Sequence, residues 1–210
     1  MIKIEKEDVY GFNSAFRGMR NPMNSWHLSD GKYKDGRYEV GDVDLKLAIR
    51  LSKAGTDHRK FMRMIVVYVD VTAPLYWWKE MDTYKVGTVS NSCSTMHKIT
   101  SKPITLSDFS IEETDIGDEG ISMSDCFINV VEDCEMLRKY YLETKDKRYW
   151  RGLIQLLPSS YNQKRTLQLN YEVLANIYQA RKYHKLDEWQ TFCDWIERLP
   201  HSELITGEGV

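Results

Sequence analysis

Residues 64–97 read MIVVYVDVTAPLYWWKEMDTYKVGTVSNSCSTMH, and this stretch decides the fold. Met64–Val71 is apolar almost throughout, and five of its eight residues are β-branched. Such side chains are stiff at χ1 and pack well on a pleated surface, so the segment predicts a strand covered on both faces. Thr72-Ala73-Pro74 ends it, because proline cannot donate to a ladder. Leu75–Lys85 reads as a helix starting beside that proline. Gly87 loosens its end, and the small polar run from Thr88 to Thr95 reads as a loop.

Outward from this core the chain is mostly helical. Asp42–Lys53 predicts a helix, with Val43, Leu47, Ile49 and Leu51 apolar, an Asp at the positive end and Gly55 as a stop. Asp125–Thr144, Asp146–Leu157 (stopped by Pro158), Tyr161–Tyr183 and Leu186–Leu199 (followed by Pro200) predict four more. Met1–Tyr10 alternates weakly like a strand. Gly11–Lys34 reads as loop and short helix, in which Arg17 and Arg20, near Trp26 and His27, either meet a phosphate or are solvated or paired. Residues 101–122 hold Glu112, Glu113, Asp115, Asp118 and Glu119 without EF-hand spacing, and read as an exposed acidic insertion. The class is α+β, in one domain spanning 1–210.

Composition narrows the function. The chain has 210 residues, 42% hydrophobic and 29% charged, which is globular rather than disordered. Its net charge of −2 has no basic excess of the kind nucleic-acid binders carry. Without an apolar leader or a membrane-length apolar run, the expectation is a cytoplasmic protein with no membrane partner. Cys93, Cys126, Cys134 and Cys193 are scattered and read as free thiols. Neither they nor the histidines make a metal pattern, so no metal is expected. Dinucleotide, P-loop and nucleophile-elbow motifs are absent. Cys93 with His97 makes a weak nucleophile pair. The 6 Trp and 13 Tyr suit either a large core or a surface that stacks flat ligands.

One apolar stripe ends in charge. Counted at 3.6 residues per turn from Asn170, the positions Val173, Leu174, Ile177 and Arg181 share a face. A buried guanidinium without a partner is costly, so Arg181 either snorkels to water or holds an anion beside an apolar floor.

The residues so far resemble the flavin-dependent thymidylate synthases in two separate segments. Lys53-Ala54-Gly55, the strand ending Val71-Thr72-Ala73-Pro74, the helix with Glu80 and the run Thr83-Tyr84-Lys85 followed by Thr88, Ser90, Asn91 and Cys93 are collinear with that family's motif Gln-x-x-Arg-His-Arg-x-x-Ser-x-Asn-Glu-x-Ser. Leu157-Pro158, Lys164, Asn170, Asn176 and Arg181 are similar to its second motif, and Lys185 meets a later histidine. The likeness covers roughly residues 42–97 and 150–195.

The resemblance implies a small, mostly antiparallel sheet with a helical C-terminal half, in a homotetramer with sites at subunit interfaces. It implies methylation of dUMP to dTMP with FAD, methylenetetrahydrofolate and NADPH. By position, Glu80, Lys85, Thr88, Ser90, Asn91, Lys164 and Arg181 would bind the nucleotide. Thr83, Tyr84, Asn170, Asn176 and Lys185 would bind the flavin. The departures are chemical. Thr83-Tyr84-Lys85 replaces Arg-His-Arg and keeps one cation without a bidentate fork, and Met64 replaces a histidine, with Arg63 adjacent. No catalytic residue follows from the match. The alternatives are a relative with altered chemistry on another pyrimidine nucleotide, or a non-catalytic nucleotide-binding oligomer.

Overall fold

The computed structural model describes residues 2–112, 114–116 and 121–207; Glu113, Asp118 and Glu119 of the acidic segment lie outside these. In chain order, Lys3–Tyr10 (β1) and Phe12–Met19 (α1) precede an antiparallel hairpin of Lys32–Lys34 (β2) and Arg37–Glu39 (β3). Asp42–Lys53 (α2), Val66–Pro74 (β4), Leu75–Met81 (α3), Val89–Ser92 (β5) and Thr95–Lys98 (α4) follow. Asp115–Ile116 (β6) pairs antiparallel with Ile121–Ser122 (β7) ahead of the long helix Met123–Thr144 (α5). Lys147–Leu156 (α6), Asn162–Asn170 (β8), Tyr171–Arg181 (α7), Asp187–Glu197 (α8) and Glu203–Thr206 (α9) complete the order. Four strands share one sheet in the order β1-β4-β8-β5. The α+β class and the small sheet match the expectation. None of the described helices is long and apolar enough to cross a membrane.

The chain packs as two compact units. The larger contains Ile2–Val71, Thr83–Asn91 and the chain from Thr166 onward; the smaller contains Thr72–Asp82 and Ser92–Arg165. The unit boundaries therefore fall within β4, β5 and β8 as well as after α3.

In the larger unit, β4 buries Val67, Val69 and Val71 but leaves Tyr68 41% exposed. The run is therefore covered fully on one face, not on both as its composition suggested. The single helix expected over Tyr161–Tyr183 is instead strand β8 followed by helix α7. Its first half has a two-residue period: Leu167 and Leu169 are buried, and polar Thr166 and Gln168 alternate with them. Thr166 Oγ1 donates to Asp70 Oδ1 at 2.6 Å, and Tyr171 N donates to Ile65 O at 3.1 Å. The helical stripe holds only after Asn170, where α7 buries Val173, Leu174 and Ile177. Helix α8 packs Trp189, Phe192, Trp195 and Ile196 into the same unit.

Helix α2 has the predicted bounds, and Asp30 fixes its start by accepting from Val43 N and Asp44 N at 2.9 and 3.0 Å. Asp44 is fully buried. It takes Arg20 Nε at 2.6 Å, Ser29 Oγ at 2.6 Å and Gly31 N at 3.3 Å. Arg20 is thus a buried structural partner rather than a phosphate ligand, and Arg17 is exposed in the last turn of α1.

In the smaller unit, α3 ends at Met81 rather than Lys85. Its two tryptophans are core: Trp77 and Trp78 are buried, and Trp78 Nε1 donates to Gln163 O at 2.9 Å. The segment 101–122 is not wholly exposed. Ile104 and Phe109 join Ile99, Val131, Cys134 and Leu153 in a second core. A capping box at Thr105–Asp108 turns the chain so that both can reach it.

Candidate functional site

Most residues singled out from the sequence lie in the larger unit, on two pieces of chain: the Thr83–Asn91 segment and helix α7. Asn170 joins the two. Its Oδ1 accepts from Val173 N at 3.0 Å, capping α7, and its Nδ2 donates to Gly87 O at 3.3 Å. An asparagine is preferred at this position because its side chain satisfies an amide that the first turn leaves open. Gly87 has a φ of 78°, and a Cβ there would stand 2.8 Å from Asn170 Nδ2. Glycine therefore gives both the left-handed turn and the close approach.

At the far end of α7, Arg181 Nε donates to Tyr84 Oη at 2.9 Å. The guanidinium carbon lies 4.8 Å from the Trp189 ring centroid and 5.7 Å from that of Tyr84. Cation–π attraction of this kind holds an arginine in place while leaving its charge intact. The apolar stripe thus ends in an arginine fixed by an aromatic corner, a third possibility beside snorkelling and anion binding alone. Lys85, Ser90 and Asn91 are exposed on the same segment, as are Thr83 before it and Lys185 after α7. Thr88 Oγ1 is enclosed without a hydrogen-bond partner.

Between those ends, Glu172 in the first turn of α7 is a charge hub. Arg63 pairs with it through two nitrogens, and Arg59 Nε lies 3.5 Å from Glu172 Oε1. Hydrogen bonding to Glu172 holds the Arg63 guanidinium above its ordinary pKa. Arg59 Nη2 also donates to Asn176 Oδ1 at 3.0 Å. Helix α7 is thereby tied to residues 59–63, ahead of strand β4, by arginines that the sequence reading left aside, save for Arg63 next to Met64.

A cavity of about 500 Å³ opens beside Arg59. Lys53, Arg59 and Lys182 supply its charge, Ser52, Tyr178, Gln179, Tyr183 and Thr206 its neutral hydrogen-bonding groups, and no carboxylate lines it among the described residues. The signal for it was Lys53-Ala54-Gly55, quoted only as a turn.

Glu80 and Lys164 belong to the smaller unit. Lys164 O accepts from Cys93 N at 2.9 Å, and Gln163 Nε2 donates to Cys93 O at 2.9 Å. These bonds hold Cys93 alongside β8. The Thr88–Thr95 run expected as loop instead holds strand β5 over Val89–Ser92 and the start of α4 at Thr95. The neighbouring Arg165 lies 4.3 Å from the Trp78 ring and donates to Asp82 Oδ1 at 2.8 Å, so it serves the core.

Comparison with solved structures finds the fold that the sequence resemblance implies. A crystal structure of flavin-dependent thymidylate synthase ThyX from Helicobacter pylori, complexed with FAD and dUMP, superposes with a TM-score of 0.71 at 16% identity, over 98% of each chain. The chain has the fold of the flavin-dependent thymidylate synthases. A second structure of the Helicobacter pylori enzyme with FAD and dUMP gives 0.70 at 15% identity, over 99% of this chain and 98% of that one. The UMP/dUMP methylase PolB from Streptomyces cacaoi, bound with 5-Br dUMP, has this fold too, at a TM-score of 0.61 and 15% identity over 100% and 96% of the chains. No family model matches the sequence, and no curated protein matches it.

Proposed function

We propose that the chain binds FAD and a uracil nucleotide and methylates dUMP to dTMP. The observation that carries this reading is the Arg181–Tyr84 contact, at the opposite end of α7 from the Asn170–Gly87 tie. It occurs in a chain whose fold matches an enzyme complexed with FAD and dUMP over 98% of its length. Arg181 and Lys85 supply positive charge for the nucleotide phosphate, with Thr88, Ser90 and Asn91 as polar neighbours. Thr83, Tyr84, Asn170, Asn176 and Lys185 face the flavin.

The residues present fit FAD. The cavity at Lys53, Arg59 and Lys182 has three cations, of which Arg59 is already beside Glu172, and no carboxylate among its described lining, which suits a diphosphate. Bound FAD would carry hydride from NADPH toward the carbon delivered by methylenetetrahydrofolate. The chain's own part is to hold the phosphates, orient the uracil ring and keep backbone close to both ligands at Gly87. We propose a homotetramer, with a mass four times the 24.7 kDa chain by light scattering.

A second substrate, UMP, is suggested by a structure of the same fold, that of a UMP/dUMP methylase. The test is the visible spectrum of purified protein before and after FAD addition, then turnover with dUMP or UMP, methylenetetrahydrofolate and NADPH. Flavin absorption and dTMP formation are expected. Turnover of UMP in preference to dUMP selects the second substrate. A protein that stays colourless with added FAD, or binds it and turns over neither nucleotide, defeats the methylation reading.

A further inference from the structure

Arg181 is held more firmly than a phosphate ligand at a helix end needs to be. Its Nε–H is committed to the Tyr84 oxygen at 2.9 Å. Its guanidinium carbon lies 4.8 Å from the Trp189 ring centroid. Tyr84 and Trp189 meet edge to face at 6.0 Å and 70°, so the guanidinium sits in an angled aromatic corner. Trp189 is fully buried and is backed by Phe192 at 6.0 Å and 88°. That wall is part of the core, whereas Tyr84 belongs to the 83–91 segment tied to Asn170. The direction of the hydrogen bond also matters. Arg181 donates and the phenol accepts, so the phenol keeps its own hydrogen to donate onward.

We propose that Tyr84 and Trp189 are positioning residues for Arg181, and that the Tyr84 hydroxyl and the Arg181 guanidinium act together as one two-pronged donor to a phosphate group. This rests on the nucleotide-binding reading and adds to it two groups acting through Arg181. An unrestrained arginine must lose side-chain freedom when it grips an anion; one already fixed by a hydrogen bond and two rings has lost it beforehand. A phenol brings a donor without a second positive charge. The pair is therefore a coupled unit, in which removing either member removes most of what the other contributes. The phosphate is that of a nucleotide monophosphate or the diphosphate of a flavin, and the two are separable by probe.

The experiment is titration calorimetry of the full chain with dUMP, deoxyuridine, FAD and inorganic pyrophosphate. Tyr84→Phe keeps the ring and removes the hydroxyl; Arg181→Lys keeps a charge and removes the Nε–H. Each is expected to weaken the phosphate-bearing ligand about tenfold, and the double variant also about tenfold rather than a hundredfold. Deoxyuridine binding is expected to change by less than about twofold. Loss on dUMP assigns the phosphate to the nucleotide, and loss on FAD assigns it to the flavin. In the ligand-free protein, exchange of the Arg181 Nε–H by NMR is expected to be about tenfold faster in Tyr84→Phe and clearly faster in Trp189→Phe. Additive losses, unchanged affinities in Tyr84→Phe, or unchanged Nε–H exchange overturn the proposal. If dUMP and FAD fail to bind while pyrophosphate binds with the same coupling, the nucleotide reading falls and the positioning role stands. If no probe binds, both fall.

Discussion

Asn170 caps helix α7 through Oδ1, 3.0 Å from Val173 N, while its Nδ2 holds the Gly87 carbonyl at 3.3 Å. One amide thus starts the helix that carries Glu172, Asn176 and Arg181 and fixes the turn between Lys85 and Thr88. The two functions can be separated by chemistry. Asn170→Asp keeps an acceptor for the cap and loses the donor to Gly87. Stability is expected to change little, while dUMP affinity falls. Asn170→Ala loses both and costs about 1 kcal/mol in urea unfolding as well. Equal dUMP affinity in Asn170→Asp and wild type would show that the tie to Gly87 has no bearing on binding.

Gly87 tests the same contact from the other side. A Cβ at φ 78° would press on Asn170 Nδ2 at 2.8 Å and on Val173 Cγ2 at 3.2 Å. Gly87→Ala is expected to destabilise by about 1–2 kcal/mol from the left-handed backbone alone, and by more once Asn170 is displaced. Urea unfolding measures it, and a variant as stable as wild type would contradict the contact.

Much of this architecture was legible in the sequence, for reasons visible in particular residues. Helix α2 was read to its exact bounds because Asp42 and Gly55 punctuate it. The strand at residues 66–74 was read because β-branched residues dominate it, although Tyr68 shows that its second face is open. Strand β8 was missed because the buried Leu167 and Leu169 sit next to a true helical stripe, and period 2 was absorbed into period 3.6. Trp77 and Trp78 are core, one of the two readings that the aromatic content left open, since an aromatic at a helix start reads the same either way. The Arg181–Tyr84 and Arg59–Asn176 contacts join residues far apart in sequence, which local pattern cannot show.

The buried pair Arg20–Asp44 is the sharpest stability test in the larger unit. Both side chains are almost fully enclosed, at 3% and 0% exposure. Asp44→Ala leaves the Arg20 guanidinium buried without its hydrogen-bonded carboxylate, with only Asp30 as a nearby counter-charge, and is expected to cost about 3–5 kcal/mol. Arg20→Met with Asp44→Leu removes both charges and is expected to recover a large part of that loss. A single variant within about 1 kcal/mol of wild type by urea unfolding would mean that water reaches the site.

The four thiols should divide into two classes. Cys93 and Cys126 are exposed, whereas Cys134 and Cys193 are buried. Burial pushes the Cys134 thiol up to about 11 and the Cys193 thiol up to about 12. Thiolate is the reactive form, so a thiol reagent at about pH 8 is expected to titrate two cysteines quickly and the others only on unfolding. Four fast equivalents would contradict the packing of both cores.

Glu135 gives the smaller unit a defined acid dependence. It accepts from Arg138 Nε and Nη2 at 2.7 Å each and from Ile104 N at 2.9 Å. The Arg138 hydrogen bonds lower its pKa, and the Ile104 amide and Lys139 add to this while burial opposes it. A carboxyl whose folded pKa lies below its unfolded value stabilises the fold fully above the unfolded value of about 4.3, and the stabilisation is lost as pH falls through the folded value. Glu135→Gln is therefore expected to cost about 1–3 kcal/mol at pH 7, where a charged hydrogen bond to a buried arginine is replaced by neutral ones. The difference from wild type should shrink steadily below about pH 4, because both proteins then carry an uncharged side chain at this position. Urea unfolding across pH 2.5–7 measures it. A gap that stays constant with pH would assign the loss to packing rather than to the Glu135 charge.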